Sequence, residues 1–194
     1  MADLKATQMS VKHDWETPRW LLMEVQRWIG GSFDLDAASS ADNAVTKVFF
    51  TKDDDALSKD WVSEALKVRR EQIYKDPIIW CNPPYGRQIG EWVKKAYEVS
   101  RAGATVALLI PARTDTRYWH DYAFKASEWL LIKGRLHFKN HGEPSISGAP
   151  FPSVVLIFRH RSMHEMPKVY TLKRPPPEKK EKTNDGHAVR HKGA

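Results

Sequence analysis

Asn82-Pro83-Pro84-Tyr85 is the segment whose residue types and spacing point most directly to chemistry. The amide oxygen of Asn82 and the carbonyl oxygen of Pro83 can each accept a hydrogen bond. Two acceptors about 3 Å from one exocyclic amino group hold both of its protons and direct its lone pair toward an electrophile. Tyr85 offers a flat face on which an extruded base can stack. The tetrapeptide therefore predicts a pocket for an adenine flipped out of a nucleic acid.

The same four residues also suit a plain turn, because Asn-Pro and Pro-Pro dipeptides are common in turns. Their context favours chemistry. Residues 78–81 are an apolar run typical of a buried strand, and an amphipathic helix follows from about Gly90. The two prolines end the strand and stiffen the loop after it. A rigid polar loop at the end of a buried strand is where α/β proteins bind ligands.

Helices and strands alternate along the rest of the chain. Thr17-Pro18 is predicted to start a helix that ends at Gly30-Gly31, and Asp60 is predicted to cap another. Further predicted elements are strands at 33–38, 45–50, 105–110 and 153–158, a helix at 115–125 and a hairpin at 129–138. The alternation predicts an α/β fold, with a mostly parallel sheet, helices on both faces and a C-terminal antiparallel hairpin.

The composition fits one globular domain. The chain has 194 residues, of which 41% are apolar, and it contains no apolar run of about 18 residues that would predict a membrane span. The single cysteine, Cys81, allows no internal disulfide, which indicates a reducing compartment such as the cytosol. We predict a flexible leader at residues 1–13, the folded domain at 14–162 and a basic, disordered tail at 163–194.

The net charge of +7 suggests a nucleic-acid partner, but its distribution weakens that indication. From Arg159 onward there are ten Lys or Arg and four Asp or Glu, a net charge of +6. Residues 1–158 therefore carry a net charge of only +1. The basic tail either contacts phosphates or keeps the protein in solution, and charge alone does not decide between these interpretations.

Several segments, taken in their order along the chain, resemble the phage-type DNA N6-adenine methyltransferase family. They are Trp15-Glu16-Thr17-Pro18, Phe33-Asp34-Leu35-Asp36-Ala37-Ala38, Asp54-Asp55-Ala56-Leu57 with Asp60-Trp61, the Asn-Pro-Pro-Tyr loop, Gly134-Arg135-Leu136-His137-Phe138 and the strand from Pro152 to Phe158. The resemblance covers roughly residues 13–160 and none of the tail. It implies a Rossmann-like fold, S-adenosylmethionine as methyl donor, and transfer of the methyl group to the N6 amino group of adenine in double-stranded DNA.

The resemblance also implies roles for individual residues. The catalytic residues would be Asn82, Pro83, Pro84 and Tyr85. The cofactor would be bordered at its methionine end by Trp15, Thr17 and Pro18, held through its ammonium or ribose hydroxyls by Asp34 or Asp36 beside Ala37, and contacted at its adenosine end by Asp55. Phe138 would supply a second aromatic face over the target base. Asp34 and Asp36 match the family's first cofactor-binding strand. The segment Asp-Leu-Asp-Ala-Ala-Ser-Ser contains none of the glycines that many methyltransferases carry after this strand.

DNA contacts are predicted from charge and position. Arg113, Arg117 and Arg135 could meet phosphates, and target recognition is expected in residues 113–122 and 133–152. Tyr118 and Trp119 could stack on bases. No metal is predicted, since the histidines lack ligand spacing and the Asp53-Asp54-Asp55 run suits a solvated turn better than a magnesium site.

Three other functions fit the same residues. One is the same chemistry on RNA, and another is methylation of a protein glutamine or of the cytosine amino group. The cytosine enzyme would more typically carry Ser in place of Asn82. The third is a non-catalytic DNA-binding module, which would hold DNA normally after Asn82→Ala and would show no turnover.

Overall fold

The computed structural model describes residues 16–68, 75–140, 143–144, 148–160 and 166–176. The helices are α1 Arg19–Ile29, α2 Trp61–Leu66, α3 Ile89–Arg101 and α4 Arg117–Asp121, and single 3-10 turns lie at Lys52–Asp54, Ala56–Ser58 and Ala123–Lys125. The strands are β1 Leu35–Asp36, β2 Ile78–Cys81, β3 Thr105–Pro111, β4 Glu128–Ile132, β5 Lys139–Asn140, β6 Glu143–Pro144, β7 Ser153–Phe158 and β8 Lys168–Leu172. The predicted leader at 1–13 and Trp15 lie outside the described residues. No helix among the described residues has both the length and the apolar character needed to cross a membrane.

Six strands form one mixed sheet in the order β1-β2-β3-β7-β4-β8. β1, β2 and β3 are parallel, β7 is antiparallel to both of its neighbours, and β8 is parallel to β4. Five strands thus run in one direction and β7 runs in the other. β3 and β7 are buried along their whole length, as expected for central strands covered on both faces. The predicted α/β class and the mostly parallel sheet are confirmed.

Alternating residues of each strand divide the core into two halves, one on each face of the sheet. The face covered by α1, here called the α1 face, holds Ala107 and Leu109 of β3 together with Leu21 and Val25 of the helix. The opposite face, here called the α3 face, is covered by α2, α3 and α4. Its buried members include Val106, Leu108 and Ile110 of β3 with Trp92, Val93 and Ala96 of α3. Each helix therefore buries one apolar stripe against the sheet, as its spacing predicts.

The ends of the helices follow from local chemistry. Pro18 is the residue before α1, one position earlier in the helix than predicted, and its carbonyl accepts from the backbone N–H of Leu21 at 2.9 Å. Gly30 ends α1 with a φ of 82°, a conformation that glycine adopts without a steric penalty. Asp60 caps α2 by accepting from the backbone N–H groups of Val62 and Ser63, as predicted.

The predicted hairpin at residues 129–138 is wrong. β4 already has β7 on one side and β8 on the other, so it has no free edge for residues 135–138. These residues are not a strand, and the carbonyl of Leu136 instead accepts from the N–H of Ala149 at 2.7 Å. Leu136 and Phe138 are buried on the α1 face. The alternation of apolar and polar residues from 135 to 138 therefore reflects side chains packed against the sheet, and these residues do not pair with a strand of the sheet. Directly after these residues, the two-residue strands β5 and β6 form an antiparallel pair outside the six-stranded sheet.

Three other predictions need correction. Lys168–Leu172 forms the edge strand β8 within the predicted disordered tail, while residues 177–194 of that tail lie outside the described residues. The predicted helix at 115–125 is α4 followed by a 3-10 turn, because Tyr122 leaves helical geometry at a φ of -132°. The predicted strand at 45–50 makes only a parallel bridge from Phe49 to Asp36. The domain bounds stay a prediction.

Candidate active site

Strand direction brings the predicted site residues to one edge of the sheet. Because β1, β2, β3 and β4 run in the same direction, their carboxyl ends lie at a common edge, here called the carboxyl edge. The segments that follow these four ends are residues 37–40, 82–88, 112–116 and 133–138. Ligands of α/β proteins bind beyond such an edge.

The period-two alternation of strands also selects one face at that edge. Asp36 pairs with Trp80 across β1 and β2, and Trp80 is buried on the α1 face. Asn82 follows Trp80 by two residues, so the alternation directs it to the same side of the sheet. The buried carboxylate and the amide of the catalytic candidate therefore share an edge and a face.

The Asn-Pro-Pro-Tyr loop is closed by its own side chains. The Tyr85 hydroxyl donates to Oδ1 of Asn82 at 2.7 Å, and the N–H of Gly86 donates to the carbonyl of Pro84 at 2.9 Å. Burial raises the pKa of the Tyr85 hydroxyl well above its usual value, with the neighbouring Cys81 as a smaller cause. The hydroxyl therefore stays protonated at neutral pH and remains a donor. Pro83 is buried and Pro84 is exposed.

Two phenylalanines pack edge-on against Tyr85. The Phe138 ring centroid lies 6.2 Å away at an interplanar angle of 62°, and that of Phe151 lies 5.4 Å away at 79°. The structure thus brings the predicted Phe138 to the Asn-Pro-Pro-Tyr loop, although its side chain is only 3% exposed. Phe151 was missed by the sequence analysis. Its signal was an aromatic residue between Pro150 and Pro152, directly before the last central strand.

Asp36 is a carboxylic acid almost wholly removed from solvent. It is 2% exposed, and it accepts from the backbone N–H of Val45 at 3.1 Å and of Ala38 at 3.3 Å. Burial raises its pKa to about 7, against the smaller lowering effect of these two hydrogen bonds. Near neutral pH this group is poised between its charged and neutral forms.

Asp34 lies at the amino ends of the strands, opposite the carboxyl edge that carries Asn82. Its Oδ2 accepts from the backbone N–H of Ile78, the first residue of β2, at 2.8 Å. The N–H of Asp34 donates to the carbonyl of the same residue at 2.7 Å. These contacts join β1 to β2. Of the two carboxylates that the sequence left open, Asp36 is the one at the carboxyl edge.

Asp54 and Asp55 of the acidic run after Phe50 have different surroundings. Asp54 accepts from the N–H and the hydroxyl of Thr51, each at 2.7 Å, and these bonds lower its pKa. Asp55 is exposed and adopts a left-handed φ of 48°, which short polar side chains tolerate. Across the described residues, no group of three or more His, Cys, Asp or Glu side chains is arranged to hold a metal ion.

The start of the described chain lies beside Phe138. Glu16 and Lys139 exchange two backbone hydrogen bonds of 3.0 and 2.9 Å. Thr17 and Pro18 therefore enter α1 next to the segment that carries Phe138. Ala37, also predicted near the cofactor, is buried and donates its N–H to the carbonyl of Trp80 at 2.8 Å.

Exposed arginines surround the carboxyl edge. Arg113 follows β3 and Arg135 follows β4, and both are exposed. Arg117 begins α4 with its side chain 94% exposed, and it pairs with Asp121 at 3.4 Å. Arg87, two residues after Tyr85, is exposed as well. The structure thus places all three predicted DNA-contacting arginines at the edge that carries the loop.

The predicted stacking role of Trp119 is wrong. Trp119 is 1% exposed and packs against Trp129 with a centroid distance of 5.0 Å, so it belongs to the core. Tyr118 is half-buried, and its side chain lies over Gly90 at the start of α3. Cys81 is buried in the core, and burial raises the pKa of its thiol well above its usual value.

Asp36→Asn is expected to stabilise the fold at high pH. Between pH 3.8 and about 7 the folded protein holds a proton on Asp36 that the unfolded chain releases, so stability falls as pH rises through this window. The difference corresponds to at most about 4 kcal/mol. Urea melts at pH 5 and pH 8 should show a smaller loss for Asp36→Asn than for the parent, with the exposed Asp42→Asn as control. Equal losses in all three proteins would contradict this account of Asp36.

The chain matches one protein family and two related phage proteins. The sequence model of the family described as DNA N-6-adenine-methyltransferase (Dam) matches residues 5–187, which includes most of the predicted tail. The DNA N-6-adenine-methyltransferase of Escherichia phage T1 is 29% identical over 130 residues, which are 67% of this chain and 49% of that protein. The protein of the same name from Haemophilus phage HP1 is 24% identical over 136 residues, or 70% of this chain and 71% of that protein.

The aligned region thus spans about half the length of the phage T1 protein. No solved structure matches the chain significantly. The family match covers nearly the whole sequence, including every segment on which the resemblance was based. This chain belongs to the DNA N-6-adenine-methyltransferase (Dam) family.

Proposed function

We propose that this protein transfers a methyl group from S-adenosylmethionine to the N6 amino group of adenine in double-stranded DNA. The observation that carries the proposal is the Asn82–Tyr85 loop at the carboxyl end of β2, with its aromatic neighbours Phe138 and Phe151. Family membership supports the reaction. The arrangement of the sheet, with its ligand-binding edge, supports a Rossmann-like methyltransferase fold.

The residues at the carboxyl edge fit S-adenosylmethionine. Asp36 is a buried acceptor on the same face as Asn82, and a carboxylate suits the ammonium or ribose hydroxyls of the cofactor. Thr17, Pro18 and Ala37 would border it, and the exposed Asp55 would contact its adenosine end. When bound, the cofactor supplies a methyl group made electrophilic by a positively charged sulfur.

The protein's own residues prepare the amino group of adenine. Oδ1 of Asn82 and the carbonyl oxygen of Pro83 each accept a hydrogen bond from one of its two N–H groups, and the Tyr85 ring stacks on the extruded base. The lone pair of nitrogen then points at the methyl carbon. The cofactor would supply the methyl carbon, so that a nitrogen–carbon bond would form as the carbon–sulfur bond broke, and the two acceptors would offset the positive charge that develops on nitrogen. The methylated nitrogen then loses a proton to solvent, so neither a covalent enzyme intermediate nor a strong base is needed.

DNA would lie across the carboxyl edge. Arg113, Arg117 and Arg135 surround the pocket from the ends of two strands and the start of α4. Guanidinium groups hold phosphates without reading sequence, and this positions the duplex over the pocket. A protein or RNA acceptor would replace DNA at the same edge, and product analysis separates these cases.

Asn82→Ala is expected to abolish most methyl transfer while leaving cofactor binding intact. Loss of one preorganised hydrogen-bond partner of a developing charge costs about a hundredfold or more in rate. Unmethylated DNA is incubated with S-adenosylmethionine and each protein, and the nucleosides are quantified by mass spectrometry. Gln88→Ala is the matched control, because this exposed amide in the following turn makes no side-chain cap. Full activity of Asn82→Ala would refute the assigned role, and methylation seen only when RNA or protein replaces the DNA would refute the DNA substrate.

Tyr85→Phe separates the hydroxyl from the ring. The variant keeps the ring contacts to Phe138 and Phe151 but loses the 2.7 Å bond that fixes Oδ1 of Asn82. We expect kcat to fall about tenfold with KM for DNA nearly unchanged. Tyr85→Ala also removes the stacking face, so KM for DNA should rise. A Phe variant with the kcat of the parent would show that the hydroxyl does not position Asn82.

Arg135→Ala is expected to weaken DNA binding and flatten its salt dependence. Each phosphate contact contributes about 0.9 to the slope of log K against log salt concentration, so the loss of one contact lowers the slope by about that amount. Fluorescence anisotropy with a duplex at several salt concentrations measures it. Arg101→Ala is the control, because this exposed arginine ends α3 away from the carboxyl edge. Identical slopes for both variants would remove Arg135 from the interface.

A further inference from the structure

Ser153 carries a buried hydroxyl that the fold does not use. The residue is 2% exposed, and among the described residues its Oγ has no hydrogen-bond partner. Burying a hydroxyl without a partner costs free energy that alanine would avoid at the same position. A buried polar atom of this kind calls for a partner that arrives from outside the protein.

The strand register places this hydroxyl at the carboxyl edge, which also carries the Asn-Pro-Pro-Tyr loop. Ser153 is the first residue of the antiparallel β7 and pairs with Pro111, the last residue of β3. It therefore lies at the carboxyl edge. Val155 and Ile157, two and four residues further along β7, are buried on the α1 face, so the alternation directs Ser153 to the same face as Asp36 and Asn82.

The surroundings of Ser153 are those of the aromatic pocket. Phe151, two residues earlier, packs on Tyr85 with a centroid distance of 5.4 Å. Only β3 separates β7 from β2 in the sheet, so the lines of the two strands are about 10 Å apart. A purine base together with a hydrogen bond at each end can bridge such a distance.

We propose that the Ser153 hydroxyl donates a hydrogen bond to ring nitrogen N3 or N7 of the flipped adenine. This inference rests on the proposed function, since it assigns a second contact to the base whose amino group Asn82 and Pro83 hold. The ring nitrogens of adenine are acceptors, and a hydroxyl whose proton has no other acceptor supplies the donor. Ser153 is thus a specificity residue that holds the far side of the base and leaves the transfer itself to the catalytic loop.

Ser153→Ala tests the proposal, because stability and activity should respond differently. The hydroxyl has no partner in the free protein, so the melting temperature should stay the same or rise. Methylation of DNA should fall about tenfold in kcat/KM. The control is Ser100→Ala, which removes a buried hydroxyl that donates to the carbonyl of Tyr97 in α3. It should lower the melting temperature and leave kcat/KM unchanged. Parental kcat/KM in Ser153→Ala would overturn the proposal.

A second test removes the acceptor of this hydrogen bond from the DNA. In 3-deazaadenine and 7-deazaadenine one ring nitrogen of adenine is replaced by a C–H group, which cannot accept the bond. With the parent protein, one analogue should lower kcat/KM by a factor similar to that of Ser153→Ala, and the variant should show no further loss with it. Undiminished activity on both analogues, or losses that multiply in the variant, would overturn the role of Ser153. No methyladenine from the parent protein on ordinary DNA would instead refute the proposed function itself.

Discussion

The alternation of side chains along parallel strands is the constraint on which the rest of the structure depends. Because β1, β2 and β3 are parallel and in a fixed register, their carboxyl ends meet at one edge. The two-residue period then selects Asp36, Asn82 and Ser153 for one face of that edge. A slip of one residue in any of these strands would turn its polar group toward the opposite core. The site is therefore a consequence of sheet register, and the loops only complete it.

Polar atoms at this edge are held where little water reaches them. Asp36 is buried enough for its pKa to reach about 7, Tyr85 keeps its proton, and the hydroxyl of Ser153 has no partner among the described residues. The burial of Asp36 and the unpaired hydroxyl of Ser153 cost folding free energy, and the same low-dielectric setting strengthens the hydrogen bonds that a ligand would make there. Electrostatic acceptors act most strongly on a developing charge in such a low-dielectric setting. The same burial that weakens the fold thus suits the proposed methyl transfer.

Sequence patterns predicted the parts of this structure whose signals are local. The buried strand before Asn82, the cap at Asp60 and the central strands follow from apolar runs and capping chemistry. The hairpin at 129–138 was wrong because alternation shows that residues are buried and does not show which strand they pair with. β8 was missed because its five residues are mostly exposed at an edge. Phe151 and Ser153 were not singled out, since their relation to Tyr85 depends on the register between distant strands.

The most direct measurement uses S-adenosylmethionine with a deuterated methyl group and unmethylated duplex DNA. We expect mass spectrometry of the nucleosides to find the intact deuterated methyl group on N6 of deoxyadenosine and on no other base. We also expect transfer to cease when the duplex is replaced by RNA or by protein alone. Label on cytosine, on RNA or on a protein side chain, or no label with the cofactor bound, would contradict methyl transfer to adenine in DNA.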